Sequence, residues 1–141
     1  MKKIIFYLSI LILFFGCQNL AIKEKIIENY YLIASDEVYG TCLSYHEDTE
    51  ESNYGCVIEA AVFAVGCNDK YMIVKQHPRT FPNPPDKKIT NYYILPLKKE
   101  MDWRSKNGLV GPLTLEQFNE KRKELNISDE VTFTKEIEDL K

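Results

Sequence analysis

Histidine is scarce in this chain of 141 residues: there are two, His46 and His77. Zinc centres and Ser–His–acid or Cys–His catalysis draw on histidine, so these two positions bound that chemistry. No two cysteines are separated by two to four residues, which removes the usual zinc-finger spacing. A Walker sequence, G-x-G-x-x-G and H-E-x-x-H are all missing. No apolar run reaches the roughly 20 residues that a spanning helix needs. Concentrated positive charge is also lacking, with 18 Lys and Arg against 21 Asp and Glu, which argues against a nucleic-acid partner. The short clusters Lys87–Lys88, Lys98–Lys99 and Lys121–Lys123 read as solvated faces. There is no internal repeat and no low-complexity tract. Neither a metal nor another cofactor is expected.

What is present begins at the N-terminus. Lys2 and Lys3 precede an apolar run from Ile4 to Phe15, broken only by Ser9, and Gly16 then stands before Cys17. A positive start followed by a short apolar stretch fits a secretory signal helix. Leu13-Phe14-Phe15-Gly16-Cys17 resembles a bacterial lipobox, in which the acylated cysteine becomes the first mature residue. Phe14 and Phe15 stand where that pattern has a leucine followed by a small residue. The resemblance implies a signal peptide over 1–16 and lipidation (palmitate-type acylation) of Cys17. It also implies a tether over 17–25 and one domain over 26–141, held outside the cytoplasm at a cell or outer membrane. Loss of residues 1–16 removes two lysines and leaves sixteen basic side chains against twenty-one acidic ones, a charge of −5. Residues 18–25 span at most about 28 Å when fully extended, so the domain should stay close to the bilayer.

Aromatics make up 12% of the chain, with nine Tyr and seven Phe, which favours strands. Ile26–Ala34, Val38–Tyr45, Lys70–Gln76 and Ile89–Leu95 read as strands, and Val131–Ile137 as a last one. Tyr54–Gly66 suits one bent strand or two short ones. Val57, Ala61, Phe63 and Val65 form one alternating set there, and Ile58, Val62 and Ala64 the other. A strand apolar on both faces is expected to be covered on both sides. Gly66-Cys67-Asn68-Asp69 marks a tight reversal. Between His77 and Asp86 lie four of the six prolines, which places a surface loop there. Thr114-Leu115-Glu116-Gln117 has the spacing of a capping box, predicting a helix over 114–125 with Leu115, Phe118 and Leu125 on one face. The fold class is therefore α+β and predominantly β: an antiparallel sheet of about five to seven strands with one helix near the C-terminus.

Removing Cys17 from the count leaves Cys42, Cys56 and Cys67. An odd number in an oxidising compartment leaves one thiol free or paired between molecules. Cys42 and Cys56 lie on strands flanking the polar turn 46–53, so a disulfide between them is one candidate pairing. Cys67 reads as a small buried hydrophobe. His46 and His77 read as surface residues beside loops. His46, Glu47, Asp48, Glu50 and Glu51 gather oxygen ligands but lack the spacing and glycine of a calcium loop, so they read as a solvated turn. Tyr92, Tyr93 and Trp103 read as core packing, with an exposed aromatic binding patch as the alternative.

The stretch Val62–Pro78, with Asn91-Tyr92-Tyr93-Ile94, Gly111-Pro112-Leu113-Thr114 and Phe118, resembles a family of small, uncharacterised bacterial lipoproteins. That resemblance implies an anchored single domain and supplies no catalytic residue. The expected function is a non-enzymatic, lipid-anchored binding or structural module of the cell envelope, with an unidentified protein partner. The alternative is an immunity-type lipoprotein that blocks a toxin, hydrolase or phage component through the exposed proline-rich loop.

Overall fold

The computed structural model describes residues 21–46, 54–97, 101–102 and 104–141. The segment 1–16, Cys17, the acids within 47–53, Lys98–Lys99 and Trp103 lie outside the described residues. The fold is mostly β, with two antiparallel sheets and one α-helix near the C-terminus. The first sheet runs in chain order through β1 (Ile22–Ile27), β2 (Tyr30–Ala34), β3 (Cys42–His46) and β4 (Tyr54–Ile58). The second contains β5 (Val62–Cys67), β6 (Tyr71–Gln76), β7 (Asn91–Pro96), β8 (Val110–Leu113) and β9 (Lys135–Glu136), in the order β8-β7-β6-β5-β9.

Tyr54–Gly66, readable as one bent strand or two short ones, is two, and they belong to different sheets. β4 ends at Ile58 and β5 starts at Val62, so the chain crosses from one layer to the other at Glu59–Ala61. One apolar cluster joins the layers: Tyr30, Leu32, Leu43, Tyr45 and Val57 from the first meet Val62, Val65, Met72, Val74 and Leu95 from the second. Fully burying each aliphatic side chain of this kind is worth about 1.5–3 kcal/mol. The opposite face of the second sheet is covered as well. Ile73 and Ile94, one residue out of phase with Met72 and Leu95, pack against Phe118, Ile127 and Val131. Phe118 comes from α1 (Leu115–Glu124).

β5 is buried on both faces, as its composition demands, but its alternation slips. A bulge between Val62 and Ala64 puts Val62 and Val65 into the inter-sheet core. Ala61, Phe63 and Ala64 go to the other side, against Leu140. The two strictly alternating sets read from the sequence are therefore regrouped by one extra residue, as bulges do.

The N-terminal strand starts earlier than position 26. Ile26–Ala34 is not one strand but the end of β1, a turn at Glu28–Asn29 and β2, with Glu28 in the left-handed region (φ 47°). β1 reads IKEKII, and its lysines are exposed at the edge of the sheet. Charged edge strands resist pairing with other chains, and their weak hydrophobic signal hides them in sequence.

The β5–β6 reversal forms as expected. Asn68 Oδ1 accepts from the amides of Lys70 at 2.9 Å and Tyr71 at 2.7 Å. At α1 the capping box is complete: Gln117 N donates to Thr114 Oγ1 at 3.3 Å, and Thr114 N donates to Gln117 Oε1 at 2.9 Å. Phe118 is buried, but Leu115 is 53% exposed and turns away from the sheet. The expected last strand shrinks to the two residues of β9, while Val131 and Phe133 pack together against the sheet.

Candidate functional site

Thr41 N–H and its hydroxyl both reach Val38 O, at 3.1 and 2.6 Å, closing a short 3-10 turn over Val38–Gly40. Thr41 O then accepts from Val62 N at 2.7 Å, which ties the start of β3 to the start of β5. Ala61 and His77 exchange backbone hydrogen bonds of 3.0 Å in both directions, extending the β5–β6 pairing by one step. Gln76 sits on the inward-facing alternating set with Met72 and Val74. Its Nε2 donates to Glu59 O at 3.1 Å and Ala60 O at 3.2 Å. Its Oε1 accepts from Asn91 Nδ2 at 2.9 Å and Tyr93 Oη at 3.3 Å. This buried amide pins the crossover between the sheets, and no motif marked it in the sequence. The available signal was a polar residue continuing an apolar alternation.

His77 is not the surface residue that its place before a proline suggested. It is 3% exposed, because the extra backbone pairing with Ala61 carries it inside. Its ring stacks on Phe63, with centroids 4.1 Å apart and planes 11° apart. Nδ1 lies 2.6 Å from Ile89 O, and a carbonyl only accepts, so Nδ1 carries the proton. His46 is half-buried at the other end of the molecule, where its amide donates to Asn29 O at 2.8 Å and its ring meets Tyr31 edge-on. The fold thus separates the two histidines, and an aromatic ring and a carbonyl surround His77 rather than a nucleophile and an acid.

From His77 the chain enters the proline-rich loop, which is on the surface as expected and well fixed. Arg79 holds it. The guanidinium pairs with Glu37 and lies over the rings of Tyr39 and Phe81, and its Nε donates to Asn83 O at 2.8 Å. Asn83 N donates to Thr80 O and Asp86 N to Pro78 O, both at 2.9 Å. Pro85 is buried, whereas Pro82 and Pro84 are exposed. At the tip, Phe81 is 81% exposed, more than Ile89 (49%) or Leu115 (53%). Lys87 Nζ donates to Asp139 O and Lys141 O, each at 3.0 Å, which docks the loop's exit on the C-terminus. The sequence marked the loop through its prolines but did not mark the Arg79 clamp, whose partners Glu37 and Tyr39 lie about forty residues away along the chain.

Beyond the loop, an open groove of about 410 Å³ runs between the start of β7 and the start of α1, lined by Ile89, Asn91, Tyr92, Pro112, Leu113 and Leu115 among others. Tyr92 packs on Phe118 with centroids 5.0 Å apart, and Tyr93 is buried, so both take the core-packing fate. Burial pushes the Tyr93 hydroxyl above its ordinary pKa. Among the described residues no three His, Cys, Asp or Glu side chains gather as a metal site, and no helix is long and apolar enough to cross a membrane.

Cys42 and Cys56 form a disulfide, with their Cα atoms 5.8 Å apart. Ser44 pairs with Cys56 across β3 and β4, so the bridge runs diagonally on the face that Cys42 shares with Ser44. Cys67 is the free thiol among the described residues, half-buried at a cleft of about 300 Å³ that Lys25 and Lys135 also line. Burial pushes its pKa up, which lowers the thiolate fraction and hence its reactivity.

Neither curated proteins nor solved structures gave a match to the chain. One family model does match, over residues 27–138, from the turn-side end of β1 to the C-terminal 3-10 turn, and its description is a protein of unknown function (DUF3997). The chain belongs to this family, DUF3997.

Proposed function

We propose that the chain is an exported lipoprotein of the cell envelope, anchored through an acylated Cys17, whose domain binds or braces rather than catalyses. The observation that carries the reading is the Cys42–Cys56 disulfide, since such bonds persist in oxidising compartments. It stands in a chain whose first residues run from Lys2 and Lys3 through an apolar stretch to Gly16-Cys17. The non-catalytic part is supported by how three of the four buried polar residues are used. Thr41, Gln76 and His77 each bond within the fold, to backbone carbonyls or to structural side chains, and the Ser44 hydroxyl is buried without a partner. Acyl chains contribute about 0.8 kcal/mol of membrane affinity per buried methylene, so two or more hold a protein of this size durably.

The test is metabolic labelling with a fatty acid, together with the mass of the mature chain. Cys17→Ser is expected to abolish labelling and leave an unprocessed precursor. Unchanged labelling in that variant, or a native protein that retains Met1 and carries no lipid, refutes the anchor. A pull-down from envelope extracts separates the two uses of the domain. One stable cognate effector supports an immunity role, and abundant wall or membrane proteins support a structural one.

A further inference from the structure

The point where the chain leaves the domain towards Cys17 and the tip of the proline-rich loop lie at the same end of both sheets. Ala21 N donates to Ser35 O at 3.3 Å, so the exit of the anchor segment sits beside Ser35. Two residues later Glu37 pairs with Arg79, whose guanidinium lies 5.7 Å from the Phe81 ring centroid. The Thr41–Val62 and Ala61–His77 hydrogen bonds place the corresponding ends of β3, β5 and β6 at this same end. The Glu28–Asn29 and Asn68–Asp69 turns are a strand length away, about 20 Å. Four peptide steps separate Cys17 from Ala21, so the exit lies within about 14 Å of the acylated residue.

We infer that the Phe81 loop is a second membrane contact: its tip inserts into the interface of the bilayer that holds Cys17, and it fixes which end of the domain faces the lipid. This rests on the acylated-Cys17 reading. Phe81, Pro82 and Pro84 form an exposed apolar tip. Arg79 and the two 2.9 Å backbone bonds already hold its shape, so insertion orders little further. Apolar side chains of this kind settle at the headgroup–acyl boundary. Asp36, Glu37 and Asp86 stand at this end against Arg79, Lys87 and Lys88, which leaves no net positive charge to attract anionic lipid. The contact is therefore apolar and insensitive to salt.

The experiment uses the full acylated chain in phosphatidylcholine vesicles, with and without brominated acyl chains, and compares F81W and D69W with the parent, whose Trp103 supplies the background. The emission added at position 81 is expected to be shifted to the blue and quenched by bromine, equally at low and high salt. The emission added at position 69 should be neither shifted nor quenched. The mass at Cys17 is read on the same sample. An acylated protein whose probe at position 81 is as water-exposed as the one at 69 overturns the inference alone and points to a protein pocket for Phe81. Absence of acyl mass overturns both this inference and the reading beneath it.

Discussion

Opening the Cys42–Cys56 bridge should remove a large part of the domain's stability. The bond closes a loop with a sequence separation of 14, between two strands that pair directly. In the chain-entropy account, a loop of that length restricts the unfolded state by about 3 kcal/mol. A domain of this size has roughly 5–15 kcal/mol in all. The perturbation is Cys42→Ala with Cys56→Ala, since serine at position 42 would bury a hydroxyl at a site only 5% exposed. Urea unfolding, followed by circular dichroism, reads the change. With a slope of about 1–3 kcal/mol per molar, the midpoint falls by roughly 1–3 M. Parent protein unfolded under a reducing agent should give nearly the same loss, because Cys67 is already a free thiol. A loss below about 1 kcal/mol in both measurements would refute the loop-closure reasoning, since it is a third of the entropy term.

Three further outcomes follow from single side chains. In Gly66→Ala the new Cβ would stand 1.8 Å from Thr132 O and 2.7 Å from Thr132 C, both backbone atoms, so the C-terminal segment must move off β5. A loss of at least about 1–3 kcal/mol in urea unfolding is expected, and an unchanged midpoint would contradict the close approach. Gln76→Leu leaves Glu59 O, Ala60 O and Tyr93 Oη without the bonds they now make, and about 2 kcal/mol or more should be lost. A neutral result would mean that the crossover is held without the amide. Burial, first of all, pushes the Tyr30 hydroxyl up to about 12 and raises Tyr93 as well. The unfolded hydroxyl titrates near 10, so the neutral form favours the folded state: stability is fully present below about pH 10 and falls as pH rises towards 12. Tyr30→Phe should soften this alkaline loss at little cost at neutral pH, because that hydroxyl is buried without a hydrogen-bond partner. An identical alkaline profile in the variant would assign the loss elsewhere.

Much of the fold was legible because local chemistry and tertiary position agree. In β6 and β7, Met72, Val74 and Leu95 alternate cleanly with Ile73 and Ile94, and both sets are buried. The Asn68 turn and the Thr114 capping box are side chain–backbone bonds within four residues, so sequence carries them directly. What escaped depends on contacts far apart in the chain. The division of the strands into two layers turns on the chain switching sheets at Glu59–Ala61, and continuous apolar composition on either side conceals it. The bulge in β5 regroups Phe63 with Ala61 and Ala64, which no alternation count foresees. Only the last two residues of β1 are legible, because IKEK at 22–25 offers little apolar signal.

The candidate site divides along the same line. Four prolines announce a surface loop by chemistry alone, since each lacks a ladder donor. The disposition of that loop relative to Ala21 is a product of pairing. β1 must turn back at Glu28–Asn29 for Ala21 to meet Ser35, and β6 must run antiparallel to β5 for His77 to meet Ala61. Thr41 O, accepting from Val62 N, then sets the two layers so that both returns fall at one end. Arg79 is the residue that couples them, with Glu37 after the β2 end on one side and the loop carbonyl of Asn83 on the other. An arginine before an exposed phenylalanine looks unremarkable in one dimension. In three dimensions it makes the orientation of Phe81 depend on the same strand ends that hold Ala21 beside Ser35.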